Sequence, residues 1–249
     1  MNERAPRRRG RYGIDAPYAP ISLLAGGVMC IALGTRWSLG PLEVEGPAWL
    51  AVWGVLLILA AAVFLHTTLR GKFRVWQELV AGLDLRGNER VLDLGCGRGM
   101  VLLEAARYLV TGDATGVDSW RTRDQSGNEA EATLANARSE GVADRVRLCT
   151  ADMRELPFAD ARFDVVLSSL AIHNIPQAAD RQRAIDEAAR VLRPGGRLLI
   201  VDFRHCGAYA TRLRESGWRE VKRSTLGWRF WYGGPFWAAD VVDAVKPAG

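Results

Sequence analysis

Residues 91–99 read VLDLGCGRG, an apolar strand that runs directly into a loop with three glycines. A strand followed at once by Gly95, Gly97 and Gly99 is typical of the first turn of an α/β domain, where the backbone turns sharply and approaches a ligand closely. The loop differs from the dinucleotide pattern G-x-G-x-x-G, because Met100 occupies the position of the third glycine. The stretch therefore predicts a ligand loop of another kind.

From residue 75 onward the chain alternates strand-like and helix-like segments. Short apolar runs such as ATGVD, FDVVLSSL and RLLIVDF are separated by helical patterns such as NEAEATLANARSEG and RQRAIDEAARVL. This alternation predicts βαβ units in an α/β fold with a doubly wound parallel sheet. Two further candidate strands, WREVKR and AADVVDAVK, follow the fifth one. We therefore expect a mostly parallel seven-stranded sheet with a C-terminal antiparallel strand.

Four patterns occur in an order that resembles the class I S-adenosylmethionine-dependent methyltransferases. They are VLDLGCGRG, an acid ending the second strand (Asp118), an acid ending the third (Asp152), and RVLRPGGRLLIVD around the turn before the fifth strand. The resemblance covers about residues 75–246. It implies a Rossmann-like fold and S-adenosyl-L-methionine as the cofactor.

The resemblance implies roles for the residues of the glycine loop. Gly95, Gly97 and Gly99 would pass beneath the methionine part of the cofactor. Asp93 would organise the loop or meet the cofactor's ammonium group.

Acids that end the next two strands would hold the nucleoside. The resemblance implies that Asp118 accepts hydrogen bonds from both ribose hydroxyls, which suits a carboxylate with two acceptor oxygens. It implies that Asp152 accepts from the adenine amino group while the Met153 amide faces the ring. The alternative for each acid is a helix N-cap, which is common at strand-to-helix turns.

A polar insertion, SWRTRDQSGN, follows Asp118 where the family commonly enters a helix at once. Trp120 is a candidate to cover the adenine face, and Asp124, Gln125 and Asn128 are candidates for a lid over the cofactor or substrate. The alternative is that Ser126 or Asn128 only caps the next helix.

The fourth strand and its exit, FDVVLSSLAIHNIP, lie where the resemblance places the methyl acceptor. Enzymes that methylate amino groups of bases or of protein glutamine often carry Asn or Asp, two prolines and an aromatic residue here, and HNIP does not fit that pattern. We expect His173 to act as the base or to orient the acceptor, with Asn174 as a neutral partner. The alternative is a backbone-bonded turn residue. His205 is a weaker second candidate, and the histidine spacing predicts no metal.

Two uncharged runs precede the domain, 20 residues between Asp15 and Arg36 and 24 residues between Glu45 and Arg70. Both are long enough for the ~30 Å hydrocarbon layer, so we expect two transmembrane helices. The first run contains prolines and three glycines, which leaves a re-entrant, surface-lying or signal-peptide segment as alternatives. The chain then divides into a basic N-terminus with a membrane anchor, residues 1–70, and a cofactor-binding domain, residues 71–249.

The positive charge is concentrated beside these runs. Residues 1–74 hold nine basic and four acidic residues, which accounts for the whole net charge of +5. The neutral remainder argues against nucleic acid as a partner, and the basic flanks predict that both termini and the domain lie on the cytoplasmic side of a membrane.

Aromatic residues are dense in GWRFWYGGPFW, residues 227–237. Its glycines and proline indicate an exposed turn, so we expect it to roof an apolar substrate pocket, to touch the bilayer interface, or both.

These features predict a membrane-anchored methyltransferase that acts on a lipophilic or membrane-partitioning small molecule. The alternatives are an enzyme for a soluble small molecule that is merely localised at the membrane, and a cofactor-binding membrane protein without transferase activity. The sequence leaves open the acceptor, the atom that is methylated and the oligomeric state.

Overall fold

The structure is a computed structural model that describes residues 8–39, 42–120 and 129–248. The chain forms two compact units, which do not follow a single boundary at residue 70. The smaller unit comprises Ile14–Lys72 and Gly227–Ala238, and the larger one comprises the residues up to Gly13, Phe73–Leu226 and the residues from Ala239 onward.

The smaller unit consists of two apolar helices joined by a β-hairpin. The second helix continues into a π-helical turn, Thr67–Gly71. The segment Gly227–Ala238 contributes two short 3₁₀ turns, Trp228–Phe230 and Pro235–Trp237. The other elements are α1 (Tyr18–Gly34), β1 (Arg36–Leu39), β2 (Leu42–Glu45) and α2 (Ala48–His66).

Helices α1 and α2 pack closely through glycines. A Cβ atom at Gly27 would lie 2.8 Å from the carbonyl oxygen of Gly54, and a Cβ atom at Gly54 would lie 2.5 Å from that of Gly27. Small residues at a contact allow two backbones to approach, as is common between helices in membranes. Large apolar side chains elsewhere on both helices are exposed, among them Ile21, Met29 and Trp53.

Among the described residues, one helix is long and apolar enough to cross a membrane, the continuous stretch Ala48–Ala81. Helix α1 has only 17 residues, about 26 Å at 1.5 Å per residue, which is less than the ~30 Å hydrocarbon layer. It is shorter than the uncharged run because Ala16 and Pro17 precede it and Thr35 follows it. The prediction of two transmembrane helices is therefore not supported.

The aromatic segment Gly227–Ala238 is attached to the apolar helices of this unit. The Thr67 hydroxyl donates to the carbonyl oxygen of Trp231 at 2.6 Å. The Tyr232 hydroxyl donates to Asp15 Oδ2 at 2.9 Å, and Lys72 Nζ donates to the same oxygen at 2.6 Å. The density of aromatic rings in the segment did not predict this location. The residues that form its hydrogen bonds are more than 150 positions apart in sequence.

The larger unit is built on a seven-stranded sheet with the order β5-β4-β3-β6-β7-β9-β8. Strands β3 to β7 are parallel to one another, and β9 is antiparallel to both β7 and β8. The predicted α/β fold, with a mostly parallel sheet and a C-terminal antiparallel strand, is confirmed. The strands are β3 (Arg90–Leu94), β4 (Asp113–Asp118), β5 (Val146–Thr150), β6 (Phe163–Ser169), β7 (Leu192–Asp202), β8 (Glu220–Thr225) and β9 (Asp240–Val245).

Helices alternate with the parallel strands. The central strands are buried along almost their whole length, which explains why they read as continuous apolar runs rather than as alternating ones. Leu92, Val166 and Ile200 are among the fully buried core residues. The helices are α3 (Lys72–Ala81), α4 (Met100–Ala106), α5 (Ala130–Glu140), α6 (Ala178–Val191) and α7 (Cys206–Glu215).

The chain order of the strands reverses between β3 and β6, which pair in the middle of the sheet. Because β3 to β7 are parallel, their carboxyl ends lie along one edge. A crevice forms at such a switch point, and ligands of doubly wound folds bind there. The strand-terminal acids and the glycine loop therefore meet at this edge.

Candidate active site

The glycine loop between β3 and α4 is a tight cradle. Gly95 has φ +71° and Gly99 has φ +84°, values that side chains disfavour. A Cβ atom at Gly95 would lie 2.2 Å from the Cβ atom of Ala171, which belongs to the exit of β6. The amides of Gly95 and Cys96 both donate to the carbonyl oxygen of Val117 at the end of β4. The loop is therefore fixed between two strand ends, close to the segment that carries His173.

Asp118 ends β4 and is nearly buried, with 9% of its surface exposed. Its Oδ2 accepts from the Gly97 amide at 2.8 Å, and its Oδ1 accepts from the Trp120 amide at 2.7 Å. Each carboxylate oxygen has two acceptor sites. The carboxylate is held against the glycine loop, where the ribose role requires it, and that role stays a prediction.

Asp93 is completely buried beneath the same loop. The amide of Leu102 donates to its carboxyl group, but its Oδ2 has no hydrogen-bond partner among the described residues. Burial, with a smaller contribution from Asp118, raises the pKa of Asp93 to about 8. A buried carboxyl of this kind is stabilised by a positively charged neighbour, so Asp93 suits a ligand with a cationic group above the loop.

Asp152 and Met153 follow β5, as predicted for the adenine site. The Asp152 carboxylate already binds Arg154, whose Nη2 donates to Oδ2 at 2.6 Å, and Arg154 Nη1 donates to Asp180 at 2.7 Å. An adenine amino group would therefore share the Asp152 carboxylate with Arg154. The Met153 side chain lies near the glycine loop, with its Cε 3.4 Å from the position of a Cβ atom at Gly95.

Trp120 connects the ends of two neighbouring strands. It has φ +56°, and its indole Nε1 donates to the Thr150 hydroxyl at 2.8 Å. The ring therefore bridges the ends of β4 and β5, and its role over the adenine stays a prediction. The candidate lid residues Asp124, Gln125, Ser126 and Asn128 lie outside the described residues.

His173 lies in a 3₁₀ turn, Ile172–Asn174, just after β6. Its Nδ1 is 2.8 Å from Asp202 Oδ1, although the ring N–H does not point along a hydrogen-bond direction. Its backbone amide donates to Asp202 Oδ2 at 3.1 Å, and the Phe203 ring packs on the imidazole with 4.4 Å between centroids. Asp202 thus binds the main chain of His173 and lies directly beside its ring.

Asp202 is the residue of the site to which the sequence analysis assigns no role. It ends β7 and is 1% exposed. Its Oδ1 also accepts from the Phe203 amide at 2.8 Å, and the Tyr209 hydroxyl lies 3.4 Å from its Oδ2. An acid at the end of a parallel strand was the available signal, because β6 and β7 pair side by side and their carboxyl ends are adjacent.

Asn174 and His205 do not contribute to this arrangement. The Asn174 side chain is exposed and makes no hydrogen bond with a described residue, so the partner that contacts His173 is Asp202 rather than the expected Asn174. His205 is exposed, and burial together with Arg181 lowers its pKa. Within the described residues, no group of three or more His, Cys, Asp or Glu side chains has an arrangement suited to a metal ion.

Residues 92–200 match the model of a protein family described as a methyltransferase domain. The region holds the glycine loop, the three acids that end or follow β3 to β5, and His173. The family model thus identifies this region as a methyltransferase domain. Its cofactor is S-adenosylmethionine, and the Asp93 oxygen that has no hydrogen-bond partner among the described residues suits the cationic group of this ligand.

Two curated relatives are similar to the methyltransferase domain. The 27-O-demethylrifamycin SV methyltransferase of Amycolatopsis mediterranei is 40% identical over 153 residues, 58% of this chain and 52% of the relative. The ubiquinone/menaquinone biosynthesis C-methyltransferase UbiE of Roseobacter denitrificans is 34% identical over 134 residues, 53% of this chain and 50% of the relative. The chain thus spans about half the length of these relatives.

Among solved structures, an S-adenosylmethionine-dependent methyltransferase from Aquifex aeolicus superposes with a TM-score of 0.52. The match is 16% identical and covers 68% of this chain and 88% of that one. At this identity the likeness concerns the fold alone.

Proposed function

We propose that the protein is a membrane-anchored methyltransferase that moves a methyl group from S-adenosylmethionine to a lipophilic or membrane-partitioning small molecule. The observation that carries the chemical part is the pairing of His173 with buried Asp202 beside the cofactor loop. The membrane part rests on the exposed apolar helices of the smaller unit.

The methyltransferase domain would bind the cofactor through the cradle of its first two strands. When bound, S-adenosylmethionine supplies an electrophilic methyl group on a positively charged sulfur. Gly95 lets the loop pack against Ala171, Asp118 would accept hydrogen bonds from the ribose, and Asp93 would stabilise positive charge. Trp120 provides an aromatic surface for the adenine.

His173 would remove a proton from the acceptor as the methyl group transfers. With Nδ1 beside Asp202, the proton is favoured on that nitrogen and Nε2 is left as the proton acceptor. The carboxylate then stabilises the imidazolium that forms, and two backbone amides keep it in place. A positioned base of this kind contributes roughly 10²- to 10⁴-fold to the rate.

The smaller unit would place the enzyme at a bilayer. In a soluble protein, helices this apolar are normally buried, yet large side chains of α1 and α2 remain exposed. Trp49 and Trp53 lie near the start of α2, where tryptophans favour the membrane interface. The basic residues that flank the apolar segments favour a cytoplasmic location for the methyltransferase domain.

An apolar acceptor agrees with this location. One relative is named for a demethylrifamycin and the other for ubiquinone and menaquinone biosynthesis, and these names support the proposal. An acceptor that partitions into lipid is concentrated at the surface where an anchored enzyme works.

The proposal is tested by incubating the full chain in uncharged detergent micelles with S-adenosylmethionine labelled in its methyl group and with membrane lipid extracts. We expect label in the organic-soluble fraction. Asp118→Ala should lose this transfer, whereas Asp113→Ala, at the opposite end of β4, should keep it. Label only in water-soluble products would support a soluble acceptor. Cofactor binding without any labelled product would overturn the proposed activity.

A further inference from the structure

A short N-terminal arm, residues 8–12, is fixed against the methyltransferase domain. The amide of Arg11 donates to Asn136 Oδ1 at 2.7 Å, and Asn136 Nδ2 donates back to the carbonyl oxygen of Arg11 at 3.1 Å. The amide of Gly10 donates to Glu140 Oε1 at 2.9 Å. These are main-chain contacts on the arm, so its path does not depend on the side chains of Arg9 and Arg11.

The carboxylates near the arm already have partners. Glu104 is bound by Arg8 at 2.7 Å and by Arg107 at 3.5 Å. Glu140 accepts from the Tyr12 hydroxyl at 2.9 Å and also binds Arg107. Both carboxylates are therefore already paired with the arm or with Arg107.

Arg9 and Arg11 carry that further charge. Their guanidinium groups form no ion pair or hydrogen bond with any residue in the described part of the chain, and both side chains are exposed. Arg8 and Arg107, a few residues or one helix away, are both paired. Arg8 thus anchors the arm, whereas the guanidinium groups of Arg9 and Arg11 are available to bind a ligand.

The available arginines line a cavity of about 370 Å³ together with Arg98, Asn136, Ser139 and two alanines of α5. Among the residues that the structure describes, the lining includes no carboxylate. Guanidinium groups only donate hydrogen bonds, and their planar forks match the oxygens of a phosphate. A cavity with this lining favours an anion with several acceptor oxygens.

The cavity shares a wall with the cofactor loop. Arg98 lies between the last two glycines of the loop, and its carbonyl oxygen accepts from Asn136 Nδ2 at 2.9 Å. The neighbouring carbonyl oxygen of Gly97 accepts from the Thr133 hydroxyl at 2.6 Å. Helix α5 therefore links the arm and the loop.

We propose that Arg9, Arg11 and Arg98 form a binding site for a phosphate-bearing ligand, separate from the cofactor site. The chemistry is that of a phosphate monoester or inorganic phosphate, and a lipid headgroup or a free solute can provide it. The site does not require that the chain transfer methyl groups, so its test is independent of the proposed activity.

The test measures binding to the full chain in maltoside micelles by calorimetry, with inorganic phosphate and dihexanoyl phosphatidic acid as probes and dihexanoyl phosphatidylcholine as the lipid control. We expect saturable phosphate binding that the double variant Arg9→Ala/Arg11→Ala weakens about tenfold or more. The control Arg138→Ala, which removes the same kind of charge from α5 at an exposed pair with Glu131, should bind as the unmodified chain does. Melting temperatures without phosphate should agree, since the substituted side chains make no contacts that hold the arm.

The two sources of phosphate give different results. Tighter binding of phosphatidic acid than of inorganic phosphate assigns the site to a lipid headgroup, and equal or weaker binding assigns it to a free solute. Three outcomes overturn the proposal: no saturable binding, an equal loss in Arg138→Ala, or competitive displacement of phosphate by S-adenosylmethionine, which would make the cavity part of the cofactor site.

Discussion

At the scale of single residues, the site contains three acids that differ in their hydrogen-bond partners and in their surroundings. The Asp118 carboxylate accepts hydrogen bonds from the backbone amides of Gly97 and Trp120. Asp93 lies completely buried in the same crevice, with a raised pKa and one oxygen that has no partner within the described part of the chain. Asp202 is equally buried but is occupied with His173. We therefore expect each of these three acids to have a different role at the site.

The raised pKa of Asp93 predicts a pH effect on stability. The carboxyl ionises near its ordinary pKa of about 4 in the unfolded chain and near 8 in the folded one, so between these values the folded state binds more protons. The stability contribution is therefore fully present below about pH 4, decreases as pH rises, and levels off above about pH 8. We expect the melting temperature of the cofactor-free chain to fall more between pH 6 and 8.5 than that of Asp93→Asn. Parallel pH profiles for the two would contradict this account of Asp93.

Asp118 provides a direct test of cofactor binding. Asp118→Ala removes a charge-assisted contact to the ribose, and we expect cofactor affinity to fall by about 1.5–3 kcal/mol with the fold retained. Isothermal calorimetry measures the affinity, and circular dichroism checks the fold. Unchanged affinity would remove Asp118 from the cofactor site.

At the scale of elements, local sequence patterns were sufficient to predict most strands of the sheet. They were not sufficient to predict which side chains meet between neighbouring strands. The strands that carry VLDLG, GVD and IVDF were predictable because their apolar runs and terminal acids are local signals. The contact between His173 and Asp202 was not, since it depends on two parallel strands lying side by side, 29 residues apart in sequence. The arm at residues 8–12 was missed for a related reason: its arginines suggested headgroups, while Arg8 in fact binds the buried Glu104.

The aromatic segment Gly227–Ala238 is an insertion between two paired strands. Thr225 and Asp240 are direct partners in the ladder of β8 and β9, and the amide of Leu226 donates to the carbonyl oxygen of Ala239 at 3.1 Å. A two-residue Asn-Gly turn can therefore replace residues 227–238. We expect the variant to retain the sheet and cofactor affinity within about twofold, because the segment belongs to the smaller unit.

A chain with Phe236→Ser is the matched control for this replacement, since that side chain is 96% exposed and the rest of the segment remains. Gel filtration and calorimetry compare the two. If the replaced chain does not fold while Phe236→Ser does, the segment is required by the sheet and the division into units is wrong at this point.

At the scale of the whole molecule, the chain's first described residues and its methyltransferase domain fold together. The Glu104 side chain is 2% exposed and Arg8 reaches it from the N-terminal arm. Removing one partner leaves a buried charge that Arg107 compensates only partly, so Arg8→Ala should lower the free energy of unfolding by about 1–3 kcal/mol. Arg138→Ala, at an exposed pair, should change it by less than about 0.5 kcal/mol. Equal effects in denaturant titrations would show that the arm does not contribute to stability.

The central claim is that His173, held by Asp202, removes a proton while S-adenosylmethionine delivers its methyl group to a lipophilic acceptor. The most direct measurement is the single-turnover rate of label transfer into membrane lipid extract by the unmodified chain and by His173→Ala, with cofactor affinity and melting temperature determined on the same preparations. The account predicts a rate at least ~10²-fold lower at nearly unchanged cofactor affinity, because the imidazole acts in the transition state. A destabilised His173→Ala chain that transfers label at the normal rate would contradict it and would make His173 a structural turn residue.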